Sequence, residues 1–244
     1  MKTALFTLLN DSFLPGYVAF IKSLKKHHPE FDLDFIILDI GLSYESQETI
    51  IQYYDKIIFR KPRLKEYASV NMSRTDPRLQ PTYYTLDAFC QTDYDRIIAI
   101  DMDVIVLGDI SEVLNCDSDF AAVKAYNAKM DILREDINSG VFVVGKKYLN
   151  EETYQGLLQI AKRGHSMPDQ KTINAYFFGK MDYFNKRFNV EKRMLHTQKY
   201  NKILEDIRIL HFIALKPRED HGGAGEIENS FGEFEKLWWA EYES

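Results

Sequence analysis

Cysteine is scarce in this chain: Cys90 and Cys116 are the two among 244 residues. Two thiols cannot build a disulfide framework, nor a zinc site by themselves. As reduced thiols they fit a cytoplasmic protein. Long apolar runs are also missing. No stretch approaches the roughly 20 apolar residues of a membrane span. The N-terminal run Thr3 to Leu9 is too short for a signal peptide and lacks a small-residue cleavage site. Positive charge is not in excess. The net charge of −6 argues against a general nucleic-acid binder. No G-x-G-x-x-G or Walker sequence follows the first apolar run, and no internal repeat is visible.

What is present is a globular composition, 45% hydrophobic and 14% aromatic, at a length that suits one large α/β domain or two small ones. Ala4 to Leu9 reads as a strand, Asn10-Asp11-Ser12 as a polar break, and Tyr17, Val18, Ile21 and Leu24 as one helical face. A strand, polar turn and helix start is a common geometry for holding anions, and equally an ordinary βα unit. Phe35 to Leu38 is a second strand, Ser43 to Tyr54 a helix, and Ile57 to Phe59 a third strand. This alternation predicts a mostly parallel sheet covered by helices. Residues 60–81 are basic and punctuated by proline, with Arg60, Lys61, Arg63, Lys65, Arg74 and Arg78. They form a solvated loop, or a lid carrying cations for a phosphate-rich ligand. Tyr83 to Phe89 is expected to be a helix.

The chain is organised around Arg96 to Val106. Ile97 to Ile100 is apolar on both faces, as in a buried parallel strand, and it ends abruptly in Asp101-Met102-Asp103. Buried carboxylates need a cation, donors or water. Residues two apart in extended chain point the same way. Ligands of open α/β sheets bind beyond the strand ends. Paired carboxylates there suggest Mg²⁺ or Mn²⁺, or two acids that cap turns. It is not an EF-hand loop, since Ile105 and Val106 stand where further ligands would be needed.

Later segments carry weaker signals. Asp109 with Glu112 resembles a helix-start pair. Asn138-Ser139-Gly140 reads as a turn ahead of the strand Val141 to Val144. Glu151 to Ala161 is helical, and Asp169 reads as a cap of the next helix, through Ile173, Tyr176 and Phe177. Ile207 to Leu210 is a late strand ending in His211. Residues 218–230 read as a mobile loop. Phe231, Phe234 and Trp238 mark a short helix that docks on its own domain; its acidic surroundings oppose anionic lipid.

Together these segments resemble a family 8 glycosyltransferase, the family of glycogenin and of bacterial lipooligosaccharide galactosyltransferases. Thr7 to Asp11 with Gly16 and Ser23-Leu24 is similar to the family's nucleotide-binding start, and Tyr94 to Asp103 to its Asp-x-Asp strand. Asn138 to Val141 resembles its sugar-contacting turn, and Asp169-Gln170 with Asn174 its Asp-Gln helix start. His211-Phe212 and Lys216-Pro217 resemble its last block. The resemblance runs to about Pro217. It implies a GT-A fold: a Rossmann-like, mostly parallel sheet flanked by helices, with residues 1–217 as the glycosyltransferase domain and 218–244 as a flexible loop and short C-terminal helix.

It further implies a retaining transferase that moves a hexose, galactose or glucose, from a UDP-sugar to a glycan or glycolipid acceptor with Mn²⁺, or Mg²⁺. By that correspondence Asp101, Asp103 and His211 bind the metal. Thr7, Leu8, Asn10 and the Asp101-Met102-Asp103 region hold the nucleotide. Asn138, Ser139, Gly140, Asp169 and Gln170 orient the donor sugar, and Lys216 adds a cation at the diphosphate. Retention proceeds through a carboxylate nucleophile or by front-side attack. The resemblance favours the latter, with Gln170 near the reacting face. A homodimer and peripheral contact with the cytoplasmic membrane face stay open.

Two departures stand out. The family's last block reads His-aromatic-x-Gly-x-x-Lys-Pro-Trp. Here His211 to Lys216 is one residue shorter, Ala214 stands near the glycine, and Arg218 replaces the tryptophan, which puts the reach of Lys216 in question. Thr85 stands where a basic residue is common. The competing readings are a glycogenin-like protein that glycosylates its own Tyr200, a catalytically silent sugar-nucleotide or glycan-binding module, and a nucleotidyltransferase. The last is weakened by the missing glycine-rich loop.

Overall fold

The structure, a computed structural model, describes residues 1–196, 206–214, 216–217 and 232–244, without the side chains of Arg74, His196 and Glu233. Tyr200, Arg218, the loop 218–230 and Phe231 lie outside the described residues.

The alternating apolar segments form β1 (Thr3–Leu9), α1 (Leu14–His27), β2 (Asp34–Asp39), α2 (Tyr44–Tyr53) and β3 (Ile57–Arg60). A short α3 (Leu64–Tyr67) precedes β4 (Arg96–Ile100), β5 (Val104–Val106) and α4 (Ser111–Leu114). Next come β6 (Phe120–Asn127), β7 (Ile132–Gly145), α5 (Glu151–Ala161), α6 (Pro168–Phe177), β8 (Asp182–Phe184), β9 (Val190–Glu191), β10 (Ile209–His211) and α7 (Gly232–Glu243).

Seven strands make the main sheet in the order β3-β2-β1-β4-β7-β6-β8. β3, β2, β1 and β4 run parallel, β7 runs against both β4 and β6, and β8 runs with β6. The expected mostly parallel sheet flanked by helices is therefore what the chain adopts. Both faces are covered, which is why β4 is apolar from Ile97 to Ile100. Tyr17, Phe20 and Leu24 of α1 pack on Leu5, Phe35 and Ile98 from one side. On the other, Phe89, Phe142 and Phe177 join Phe6 and Ile97, and the Phe120 and Phe177 rings stack at 3.9 Å.

Two expectations change in detail. Residues 77–90 wind as a 3-10 helix rather than an α-helix. Pro81, inside the segment, lacks the N–H that α-helical bonding would require there, and its ring crowds the carbonyl of Pro77. The residues 138–140 are not a turn. They lie inside the continuous strand β7, where its pairing with β6 jumps from Ala122↔Phe142 to Val123↔Asn138. This is a bulge, which bends a strand and re-aims its side chains. The basic connection is a self-paired surface segment: Arg60 pairs with Asp93, Lys61 with Asp39, Arg63 with Glu66 and Glu151, and Arg78 with Asp76.

β5, β10 and β9 form a second, three-stranded sheet. α7 covers it: Trp238 is buried against Ala19, Ile105, Leu210 and Phe212, while Lys26 pairs with Glu241 across α1 and α7 at 2.6 Å. The C-terminal helix thus supports the strand that carries His211. Among the described residues, no helix is long and apolar enough to cross a membrane.

Candidate active site

The site forms where the chain passes from the main sheet to the small one. β4 ends at Ile100, and the Asp101 N–H still continues its ladder by donating to Gly140 O at 3.0 Å. A turn at residues 102–103, rather than continuous extended chain, then leads into β5. Met102 is buried in the core, so only its backbone is left to face a ligand. β10 pairs antiparallel with β5, with His211 opposite Val104, and the Phe212 N–H donates to Asp103 O at 2.8 Å. That pairing brings His211 to the two aspartates.

His211 Nε2 lies 3.0 Å from Asp103 Oδ1 and 3.7 Å from Asp101 Oδ2. One donor atom from each residue falls within 4.8 Å of the others, the one three-donor group of its kind among the described residues. Small divalent cations bind oxygen at about 2.0–2.1 Å, so ligands around one ion are roughly 3–4 Å apart. Two carboxylates and one imidazole therefore fit a small divalent cation in both spacing and donor chemistry.

The charges are unequal. Burial raises the Asp101 carboxyl, and the neighbouring Asp103 raises it further. Burial acts on Asp103 too, but His211 and Lys216 outweigh it and hold that carboxyl far below its usual range. Burial lowers His211, yet the facing aspartates leave it raised. Two acids of opposite tendency beside a raised imidazole describe a pocket short of positive charge.

Lys216 reaches this cluster despite the shortened segment. Its Nζ pairs with the second oxygen of Asp103 and donates to Phe212 O at 3.1 Å. Ala214 explains how the chain turns in so few residues: its φ is +63°, in the left-handed region that favours glycine. A non-glycine residue there costs about 1–2 kcal/mol, partly offset by the ~0.5–1 kcal/mol greater chain entropy that glycine loses. Ala214→Gly is expected to raise unfolding stability by roughly 0.5–1 kcal/mol in urea titrations, with Lys216 still in place.

The bulge supplies the next layer. At Gly140 a Cβ would lie 2.7 Å from His211 Nδ1 and 2.9 Å from Asn138 Oδ1, so glycine is required for the ring to lie against the strand. Asn138 Nδ2 donates to Gln170 Oε1 at 3.3 Å. Asn174 clamps α6 to β7 by accepting from Ile137 N at 2.7 Å and donating to Ile137 O at 3.0 Å. Asp169 lies in the first turn of α6 behind Met167, the capping position, so it is not the cap itself. Burial raises its carboxyl against hydrogen bonds from the Ser139 and Thr82 hydroxyls and the helix-start amides.

A narrow cleft beside the cluster is lined by Phe6, Thr7, Leu8, Thr85, Ile100, Asp101 and Ser139. Thr7, Leu8, Ser139 and Asp101 thus share one wall system. Asn10 stands at the mouth of β1, where its side chain accepts from Phe13 N at 3.3 Å and from Ser12 Oγ at 2.8 Å. Asp109 accepts from Ser111 N at 2.8 Å and serves as a turn cap. One member escaped the sequence reading. Asn189, fully buried, bonds both His211 and Asn138 at 2.8 Å. Its signal was an asparagine set between the apolar Phe188 and Val190.

The family model described as glycosyl transferase family 8 matches residues 4–221. A glycogenin of Neurospora crassa is 26% identical over 246 residues, covering 97% of this chain and 34% of that protein. A glycogenin of Komagataella phaffii is 23% identical over 45% of the chain and 28% of its own length. The chain spans about a third of the length of these curated relatives. Among solved structures, the galactosyltransferase LgtC in complex with donor and acceptor sugar analogues superposes with a TM-score of 0.71 at 18% identity, over 96% of this chain and 95% of that one. GlyE of Streptococcus pneumoniae TIGR4 gives 0.68 at 19% identity, over 100% of this chain and 62% of its own. These likenesses establish the GT-A fold. The match over residues 4–221 establishes more than fold: the chain belongs to glycosyl transferase family 8.

Proposed function

We propose that the protein is a metal-dependent, retaining hexosyltransferase that takes galactose or glucose from a UDP-sugar and passes it to a glycan or glycolipid acceptor. The observation that carries this reading is the meeting of Asp101, Asp103, His211 and Lys216, with Asp101 also lining a crevice with Thr7, Leu8 and Ser139. Asp101, Asp103 and His211 would hold Mn²⁺. When bound, the ion supplies positive charge to a departing diphosphate. Lys216, held beside Asp103, brings a second cation to the same place. Thr7, Leu8 and Asn10 bind the nucleoside part, with the Met102 backbone. Ser139, Gly140, Asn138 and Asp169 shape the sugar-side wall, and Gln170 stands at the reacting face.

The carboxylate–amide character of that wall supports front-side attack. Gln170 is an amide and offers no carboxylate, while Asp169 is engaged by Ser139, Thr82 and the helix start. The expected result is UDP release from UDP-galactose or UDP-glucose in Mn²⁺, abolished by a chelator, with the anomeric configuration of the product retained by NMR. Tight UDP binding without release from any UDP-hexose would instead identify a silent binding module. Intact mass after incubation with UDP-glucose tests self-glycosylation; the expected outcome is no hexose increment.

A further inference from the structure

The nitrogen that His211 turns toward the aspartates is fixed by a chain of amides with a definite direction. A backbone N–H can only donate. The Gly140 N–H meets Asn138 Oδ1 at 2.9 Å, so that atom is the acceptor end of the Asn138 amide. Asn189 meets the same oxygen at 2.8 Å and must present its NH₂ there. Its own oxygen is thereby turned to His211 Nδ1, also at 2.8 Å. An amide oxygen can only accept, so Nδ1 carries a proton. Nε2 is then the nitrogen available to the aspartates. In the opposite direction, the Asn138 NH₂ faces Gln170 Oε1, which turns the NH₂ of Gln170 away from Asn138.

Asn189 is built to hold this position. It is fully buried, and its N–H donates to Lys186 O at 3.1 Å. The two residues after it form β9, whose Val190 and Glu191 pair with Leu210 and His211 of β10. The buried Glu191 carboxylate accepts from Tyr126 N at 3.1 Å, from Lys186 Nζ at 3.2 Å and from Arg193 Nη2 at 2.6 Å, which ties β9 to β6.

We propose that Asn189 is a positioning residue: it sets the tautomer and ring orientation of His211 and, through Asn138, the orientation of Gln170. It couples the metal side of the site to the donor-sugar side. This rests on the reading of Asp101, Asp103 and His211 as a metal centre.

The test combines Mn²⁺ titration by electron paramagnetic resonance, with UDP present, and ¹⁵N-histidine NMR of the metal-free protein above the titration of His211. Asn189→Ala is expected to weaken Mn²⁺ binding by ~10–100-fold, the usual loss for a partner of a metal-binding histidine. Asn189→Asp still accepts from Nδ1–H but sets a carboxylate against Asn138 Oδ1. It is expected to keep Mn²⁺ affinity while kcat for UDP release falls by ~10-fold or more. The spectrum of the unsubstituted protein should show a protonated Nδ1, and this reading needs no variant to fold. A folded Asn189→Ala protein with unchanged Mn²⁺ affinity, an Asn189→Asp protein with unchanged kcat, or an unprotonated Nδ1 overturns the inference. Failure of the unsubstituted protein to bind Mn²⁺ contradicts the metal reading instead, so the two failures are distinguishable.

Discussion

Asp103→Asn is expected to lower Mn²⁺-dependent UDP release by about 10³-fold while the protein stays folded. Metal charge at a leaving group contributes several kcal/mol to transition-state stabilisation, and ~1.4 kcal/mol is one decade in rate. Asp103 is the junction of the site: one oxygen faces His211 Nε2 at 3.0 Å and the other faces Lys216. Asparagine keeps the shape and leaves the backbone bond from Phe212 N to Asp103 O intact. It removes the negative charge that holds both cations together. Circular dichroism checks the fold and a UDP-release assay the activity; unchanged release would refute the metal assignment.

Gly140→Ala should be nearly as damaging, although it adds one methyl group and removes no functional atom. The new Cβ would stand 2.7 Å from His211 Nδ1 and 2.9 Å from Asn138 Oδ1. Neither neighbour is the loose end of a flexible chain, because Asn189 bonds both. The ring must shift, and a displacement of order 1 Å at a catalytic centre can lower kcat/KM by ~10²-fold. Overpacking also lowers stability by ~1–3 kcal/mol. Gly232→Ala is the control: among the described residues nothing lies within 4 Å of its Cβ, so kcat/KM should not move, and stability should hold or rise by up to ~1 kcal/mol, as helical glycine-to-alanine changes do. Steady-state kinetics and urea unfolding of the two variants decide the matter.

Much of this site was legible because apolar runs announce buried strands, and β4 stops where its acids begin. The α/β alternation from Thr3 to Arg60 follows from period and turn chemistry alone. The meeting of His211 with Asp103 does not. It depends on β5 pairing antiparallel with a strand about a hundred residues later, and only the ordered resemblance of several segments pointed to it. Residues 138–140 look like a turn in sequence because a bulge is defined by the partner strand, which local sequence does not display. The break from α-helical winding in residues 77–90 has a local cause in the interior Pro81. The role of Asn189 is hidden for a different reason. Its place between the apolar Phe188 and Val190 marks it as buried, but its role lies in the polarity of two hydrogen bonds, which no spacing rule displays.

The most direct test of the account is pulsed electron paramagnetic resonance of Mn²⁺ bound to the protein together with UDP. The account predicts a ¹⁴N coupling from one imidazole, His211, alongside ³¹P couplings from the diphosphate. A Mn²⁺–UDP signal with phosphorus but no nitrogen coupling would contradict it.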